Sequence, residues 1–129
     1  FPTRRSSDLK ILAVDDEPAI LEMIESILNK DGHLVTKVSN PLKINMEELH
    51  RYDLILLDIM MPKVDGYQVC QFIKSTPEYA HTKIIFMSAK SKEGDMKKGL
   101  ELGADMYIFK PFSTRDLLNK VNTMALSTI

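Results

Sequence analysis

The side chains of this chain that can do chemistry stand at the ends of short apolar runs. Ile11-Leu12-Ala13-Val14 runs into Asp15-Asp16-Glu17, and Leu54-Ile55-Leu56-Leu57 runs into Asp58. Ser88 follows Ile84-Ile85-Phe86-Met87, and Lys110 follows Met106-Tyr107-Ile108-Phe109. A strand that only had to stop could end in glycine, asparagine or serine, so the acids and the lysine call for another reason. Two carboxylates about 4 Å apart repel by roughly 4 kcal/mol at an effective dielectric near 20. Brought together, these acids need neutralising. Lys110 supplies one positive charge, and a hard divalent cation held by oxygen ligands supplies the rest. An acid pocket with a cation and a facing lysine suits phosphoryl transfer. Asp58 would be the nucleophile, while Lys110, the Ser88 hydroxyl and a metal would hold the transferred group.

The apolar runs must be strands lying side by side if those residues are to converge. The first is continuously apolar, as expected of a strand buried on both faces. Pro18 then suits the first turn of a helix bearing Ile20, Leu21, Ile24, Ile27 and Leu28, which Asp31-Gly32 stops. Residues 34–38 read as a more polar second strand at the sheet edge, and residues 41–50 as a weak helix. The run before Asp58 is the central strand. Pro62 and Asp65-Gly66 make residues 60–66 a loop. A helix over 67–74 turns Val69, Phe72 and Ile73 inward, and residues 83–87 form a fourth strand. Residues 91–102 form a helix with few apolar positions, chiefly Met96 and Leu100, that Gly103 caps. Residues 106–109 form a fifth strand. Ser113 or Thr114 caps a last helix carrying Leu117, Leu118, Val121 and Met124. Alternation of this kind predicts an α/β fold, a doubly wound parallel sheet with helices on both faces and right-handed crossovers. In such sheets ligands bind beyond the carboxyl ends of the strands, where these polar residues lie.

Composition narrows the classes. The chain has 129 residues, 44% hydrophobic and 27% charged, with a formal net charge of -1. A nucleic-acid surface built on a basic field is not indicated. Lys92, Lys97 and Lys98 read as a solvated face. Cys70 is the single cysteine, which rules out an internal disulfide and suits a reducing compartment; it reads as an inert helix residue. No apolar run reaches the length of a membrane span. The expectation is a cytoplasmic domain without direct nucleic-acid or membrane contacts. His33, His50 and His81 lack metal-ligand spacing and read as surface residues.

Residues 1–9 have no apolar periodicity and back-translate as TTC CCT ACA CGA CGC TCT TCC GAT CT, a string similar to a common sequencing-library adapter. They are expected to be a non-native, adapter-derived tail, with the domain proper over 10–129. Setting Arg4, Arg5 and Asp8 aside leaves the balance acidic.

The segments Val14-Asp15-Asp16-Glu17-Pro18, Leu57-Asp58-Ile59-Met60-Met61-Pro62, Asp65-Gly66, Met87-Ser88-Ala89-Lys90, Gly103-Ala104-Asp105 and Tyr107-Ile108-Phe109-Lys110-Pro111-Phe112 resemble, in order, the receiver domain of bacterial two-component response regulators. The likeness is to chemotaxis-regulator-like members and covers residues 10–123. The resemblance implies a flavodoxin-like (βα)5 fold with strand order 2-1-3-4-5. It implies that Asp58 is the aspartate phosphorylated by a histidine kinase or a histidine phosphotransfer domain. It makes Asp16 a direct ligand of Mg2+ (or Mn2+), Asp15 the acid that holds a metal-bound water, and the Met60 backbone carbonyl a further ligand alongside Asp58. It makes Ser88 the switch hydroxyl, Ala89 the small residue giving access to it, Tyr107 the aromatic that moves inward on activation, and Lys110 the phosphate-contacting lysine. Lys110-Pro111 matches a cis-proline junction, and Met60 and Lys90 match two variable positions that tune dephosphorylation. Phosphorylation then repacks the face made by the fourth helix, the fifth strand and the last helix, a face through which such domains also form homodimers. The chain departs from the family around residues 41–48, where the second helix looks short and lacks the usual glycine-alanine-rich pattern.

Other classes fit less well. A haloacid-dehalogenase-type phosphatase needs a second acid two residues after the nucleophile, where Met60 stands. A nucleotide-binding module needs a glycine-rich loop where Asp15-Asp16-Glu17 stands. A degenerate receiver serving only in dimerisation would not need the intact acid set. The cognate kinase, the output, the lifetime of the phosphorylated state and the native ends of the chain are not encoded in the pattern.

Overall fold

The computed structural model of the chain describes residues 9–40, 43–61, 64–78, 81–89, 101 and 103–126. The apolar runs become strands: β1 Lys10–Val14, β2 Leu34–Val38, β3 Leu54–Asp58, then β4 Met60–Met61 and β5 Val64–Asp65, followed by β6 Lys83–Ala89 and β7 Met106–Lys110. The helices are α1 Pro18–Lys30, a 3₁₀ helix Met46–Arg51, α2 Gly66–Ser75 and α3 Thr114–Leu126. Five strands form one parallel sheet in the order β2-β1-β3-β6-β7, the expected 2-1-3-4-5 arrangement. β2 lies at one edge, as its polar sequence suggests.

Two cores flank the sheet. Ile11, Ala13, Leu54 and Leu56 pack toward Leu21, Ile24 and Leu28 of α1 and Leu117 and Val121 of α3. Leu12, Ile55, Leu57, Ile84 and Phe86 pack toward Leu49 of the 3₁₀ helix and Cys70 and Ile73 of α2. Alternate residues of each strand therefore serve opposite faces, and β3 is buried throughout because both faces are covered.

Helix ends follow their sequence signals. Pro18 sits at the start of α1, where its missing N–H costs nothing. Gly32 follows the end of α1 at φ 93, a conformation that favours glycine. Ser113 rather than Thr114 caps α3, its hydroxyl accepting from the Asp116 N–H at 3.0 Å.

Some expectations need correction. The weak helix expected over 41–50 is a 3₁₀ helix, Met46–Arg51, opened by Asn45, whose side chain accepts from the Glu47 N–H. The segment 60–66 is not only a loop, because Met60–Met61 pairs antiparallel with Val64–Asp65. In α2, Ile73 and the partly buried Val69 pack inward as expected, joined by Cys70, while Phe72 is 45% exposed. Cys70 and Ile73 are three residues apart and share a face, and Phe72 falls about 100° round the helix from Ile73. His33 is not a surface residue but 1% exposed. Its Nδ1 accepts from the Leu9 N–H at 3.2 Å, and its Nε2 lies 3.4 Å from Asn122 Oδ1. Leu9, set aside with the leading segment, packs in the core, and its carbonyl accepts from the Leu34 N–H. The helix expected over 91–102 lies almost wholly outside the described residues.

At the end of the sheet away from the acids, β6 and β7 are pinned together. The Asp105 carboxylate accepts from the Ile84 N–H at 2.9 Å and pairs with Lys74 at 2.9 Å, and Lys74 also donates to the Thr82 carbonyl. Gly103 stands beside this knot at φ 110, where an added Cβ would lie 2.8 Å from Lys74 Cγ. Gly103→Ala is expected to cost roughly 1–3 kcal/mol, through backbone strain and displacement of Lys74. Urea denaturation measures it, and an unchanged midpoint would contradict the packing described.

Candidate functional site

The carboxyl ends of β1, β3, β6 and β7 bring the expected residues to one edge of the sheet. Asp15 follows β1, and its N–H still donates to the Val38 carbonyl of β2, so the strand direction persists into the acid. The Asp15 carboxylate is fully buried. One oxygen accepts from the Glu17 N–H at 2.9 Å, and the other accepts from Lys110 Nζ at 2.6 Å. Asp58 is the last residue of β3 and 3% exposed, and its Oδ2 lies 3.3 Å from the same Lys110 Nζ. One ammonium thus bridges two buried carboxylates that lie 43 positions apart in the chain. Parallel pairing sets this up: Asp58 is opposite Met87, Ser88 opposite Phe109, and Ala89 opposite Lys110. The Ser88 side chain is buried next to this row.

Asp16 and Glu17 are exposed, yet oxygens of Asp15, Asp16 and Glu17 lie within 4.8 Å of one another. Such a purely carboxylate donor set fits a hard divalent cation such as magnesium rather than a thiolate- or imidazole-seeking metal. Asp58 is joined to this acid group through Lys110. Glu17 had no ligand role in the sequence reading. Its place directly after Asp15-Asp16, in a turn that folds back on Asp15, is the signal that could have found it.

Tyr107 is 5% exposed and points into the protein. It meets Phe86 edge-on, with ring centroids 5.5 Å apart, and lies 6.3 Å from Phe109. The Lys110–Pro111 peptide bond is cis. Met60 contributes its backbone to the small hairpin at the rim. Lys90 lies outside the described residues.

The electrostatics follow from burial. Desolvation raises the pKa of Asp15 above the ordinary carboxylate value. The hydrogen bonds from Lys110 and the Glu17 N–H oppose that rise, and the charge of Asp58 reinforces it. Burial alone would lower the pKa of Lys110, but the hydrogen bond to Asp15 and the charges of both acids raise it overall. An acid whose folded pKa is raised costs stability when ionised, and the cost is relieved as pH falls through that pKa. Asp15→Asn is therefore expected to stabilise the metal-free protein by about 1 kcal/mol at neutral pH, with the gain shrinking as pH falls. Thermal melts in chelator across pH check this; a destabilised variant at neutral pH would contradict it. Burial likewise pushes the Cys70 thiol up to about 11, which leaves it unreactive at neutral pH.

The sheet order, with acids and a lysine gathered at its carboxyl edge, defines a flavodoxin-like α/β domain with a charged site in the crevice where such folds bind ligands. The chain matches the response regulator receiver domain over residues 11–122 and belongs to that family. It is 43% identical over 113 residues to the transcriptional regulatory protein SpaR of Bacillus subtilis, covering 88% of this chain and 50% of that protein. Among solved structures it is similar to the receiver domain of a signal transduction histidine kinase from Syntrophus aciditrophicus. That likeness has a TM-score of 0.81 at 32% identity and covers 92% of this chain and 91% of that one. The receiver domain of the sensor histidine kinase PA1611 from Pseudomonas aeruginosa PAO1 was solved with a magnesium ion coordinated in its active site cleft. It matches with a TM-score of 0.78 at 29% identity, over 92% of this chain and 98% of that one. The chain spans about half the length of the curated relatives it matches. It is thus a receiver domain of two-component signalling, and the phosphatase alternative is not supported. Among the described residues no helix is long and apolar enough to cross a membrane.

Proposed function

We propose that Asp58 accepts a phosphoryl group from a phosphohistidine of a histidine kinase or a histidine phosphotransfer domain. The observation that carries this reading is the Lys110 ammonium held between Asp15 and Asp58 at the carboxyl edge of the sheet. An Asp58 oxygen attacks phosphorus in line as the P–N bond to the donor imidazole breaks. The product is an acyl phosphate, and the electron pair of the broken bond leaves with the imidazole. Lys110, already aimed at Asp58, contacts a phosphoryl oxygen as charge spreads over the transferred group. The Ser88 hydroxyl, buried one residue along from Met87, turns to donate to another. Asp16, with Asp15 and the Met60 carbonyl, would hold Mg2+ (or Mn2+) against Asp58, and Glu17 stands close enough to assist. The bound ion supplies positive charge that lets a carboxylate approach the phosphoryl oxygens. In this reading the domain catalyses only its own phosphorylation and dephosphorylation, with Met60 and Lys90 setting the lifetime.

The output follows from Ser88 and Tyr107. Movement of Ser88 toward the phosphoryl group alters the space beside β7, and Tyr107 repacks between Phe86 and Phe109. The repacked face, made by β7, α3 and the helix expected from the sequence over 91–102, then meets its partner or a second copy of the domain. A cytoplasmic location accompanies this reading, as does the adapter origin of residues 1–9. Source DNA whose native coding sequence continues upstream through those codons would overturn that origin.

Beryllofluoride with magnesium tests the switch. Amide NMR is expected to show shifts at Asp58 and Ser88 that extend to Tyr107, Lys110 and the start of α3. A spectrum perturbed only at the acids would contradict the coupling, and an unperturbed one the site itself.

A further inference from the structure

The chain departs from its family in the connection from β2 to β3, and beside it the outer strand is exposed at Leu34 and Thr36. Parallel sheets are found with helices over both faces, because a naked face leaves apolar strand residues in water. Here α2 and the 3₁₀ helix cover the middle of one face. On the outer strand β2, Leu34 is 67% exposed and Thr36 is exposed as well. Leu34, Thr36 and Val38 alternate on this face, in register with Lys10, Leu12 and Val14 of β1.

Two cavities of about 190 Å³ and 210 Å³ share Thr36, Glu48 and Tyr52 and make one groove along β2. Its apolar surface comes from Leu12, Val38, Ile44 and Tyr52 at one end and from Leu34 at the other. Its charged rim is mainly basic. Arg51 pairs with Glu48 at 3.5 Å, while Lys10 and Lys43 have no ion-pair partner among the described residues.

We infer that this groove is an interaction surface for an amphipathic helix of a partner protein, with apolar side chains toward β2 and acidic residues beside Lys10 and Lys43. A helix is the element that completes the layer over a parallel sheet, and the unpaired lysines set the sign of its flanks. A second copy of the chain would have to offer its own acidic helix. The acids of α1 nearest this edge, Glu22 and Glu25, are already paired with Lys37. The groove adjoins the phosphoryl site at one end, where the Val38 carbonyl accepts from the Asp15 N–H, and runs from there along β2 to Leu34.

The probe is a synthetic peptide with leucines at helical spacing and glutamates flanking them, beside a control in which lysines replace the glutamates. It is titrated into the full chain and followed by amide NMR. Shifts are expected at Leu34, Thr36, Ile44 and Tyr52, with affinity falling as salt rises. The exposed double substitution Lys10→Glu/Lys43→Glu should weaken binding about tenfold or more, as should Leu34→Asp, while the amide spectrum away from the groove stays intact. Asp58→Asn should bind the peptide as tightly as the original chain. Equal binding of the lysine-flanked control, or shifts located elsewhere, would overturn the proposal. Concentration-dependent self-association through the same amides would also overturn it, in favour of a dimer.

Discussion

Replacing Asp58 with asparagine is expected to abolish acyl phosphate formation from any donor while leaving the fold in place. The two halves of that expectation have separate causes. Asparagine has nearly the same shape and keeps an oxygen for Lys110 to contact, so β3 retains its packing between two cores. The amide has no anionic oxygen to attack phosphorus, and among the described residues no other carboxylate is both held at the end of β3 and aimed at by Lys110 as Asp58 is. Asp15 is held by the Glu17 N–H and Lys110, and Asp16 is exposed beyond the strand. Removing a nucleophile outright leaves only background reaction, a loss on the order of thousands-fold or more. Phosphate-affinity gels read the loss, and a melting curve reads the fold. Phosphorylation at another acid in the variant would show that the nucleophile had been misplaced.

Lys110→Met should be the most destabilising single change at the site. It leaves Asp15 and Asp58 buried together without the ammonium that bridges them. Breaking a buried ionic cluster by removing one partner costs about 3–5 kcal/mol. The lower end applies here, because Asp15 already has a raised pKa and can protonate. The pH dependence has a definite sign. Lys110 has a raised folded pKa, so its contribution is fully present below the ordinary lysine value of 10.5 and is lost as pH climbs through the folded value. Toward acid the cost of the substitution falls, as Asp15 takes up a proton. The gap between the two proteins should therefore be widest at neutral to mildly alkaline pH and narrow in both directions. Magnesium should recover part of the lost stability by supplying the missing charge. Denaturant unfolding across pH, with and without magnesium, measures all three effects. A variant as stable as the original at pH 8 without metal would contradict the bridging role of Lys110.

Most of the sheet and the main site were legible because burial and topology leave strong marks on sequence. A strand covered on both faces must be apolar throughout, so Leu54-Ile55-Leu56-Leu57 and Ile84-Ile85-Phe86-Met87 stand out, and so do the polar residues that end them. What escaped depends on contacts between distant positions. His33 looks like a surface residue because nothing near it in sequence reveals that Leu9 and Asn122 close over it. Leu9 belongs in sequence to the adapter-like segment, which has no apolar periodicity, yet its side chain packs in the core beside β1. Phe72 is apolar and stands beside Ile73 in sequence, but the turn of α2 gives the inward place to the smaller Cys70. In the connection between β2 and β3, Asn45 caps a helix start and Glu47 and Glu48 stand in its first turn, signals that mark the start of the element but not its 3₁₀ winding. The Met60–Asp65 hairpin depends on backbone pairing that a proline and an Asp-Gly pair only hint at. The closeness of the Glu17 carboxylate to those of Asp15 and Asp16 depends on the turn in which the Glu17 N–H donates to Asp15.

The central claim is that Asp58 is the residue that takes the phosphoryl group, with a divalent cation held by its neighbouring acids. It is tested most directly by incubating the chain with phosphoramidate and magnesium, reducing the product with borohydride, and mapping the modified residue by peptide mass spectrometry. One modified site, Asp58, is expected, formed with magnesium and absent when chelator replaces it. Modification at Asp15, Asp16 or Glu17 instead, or equal labelling of Asp58 in chelator, would contradict it.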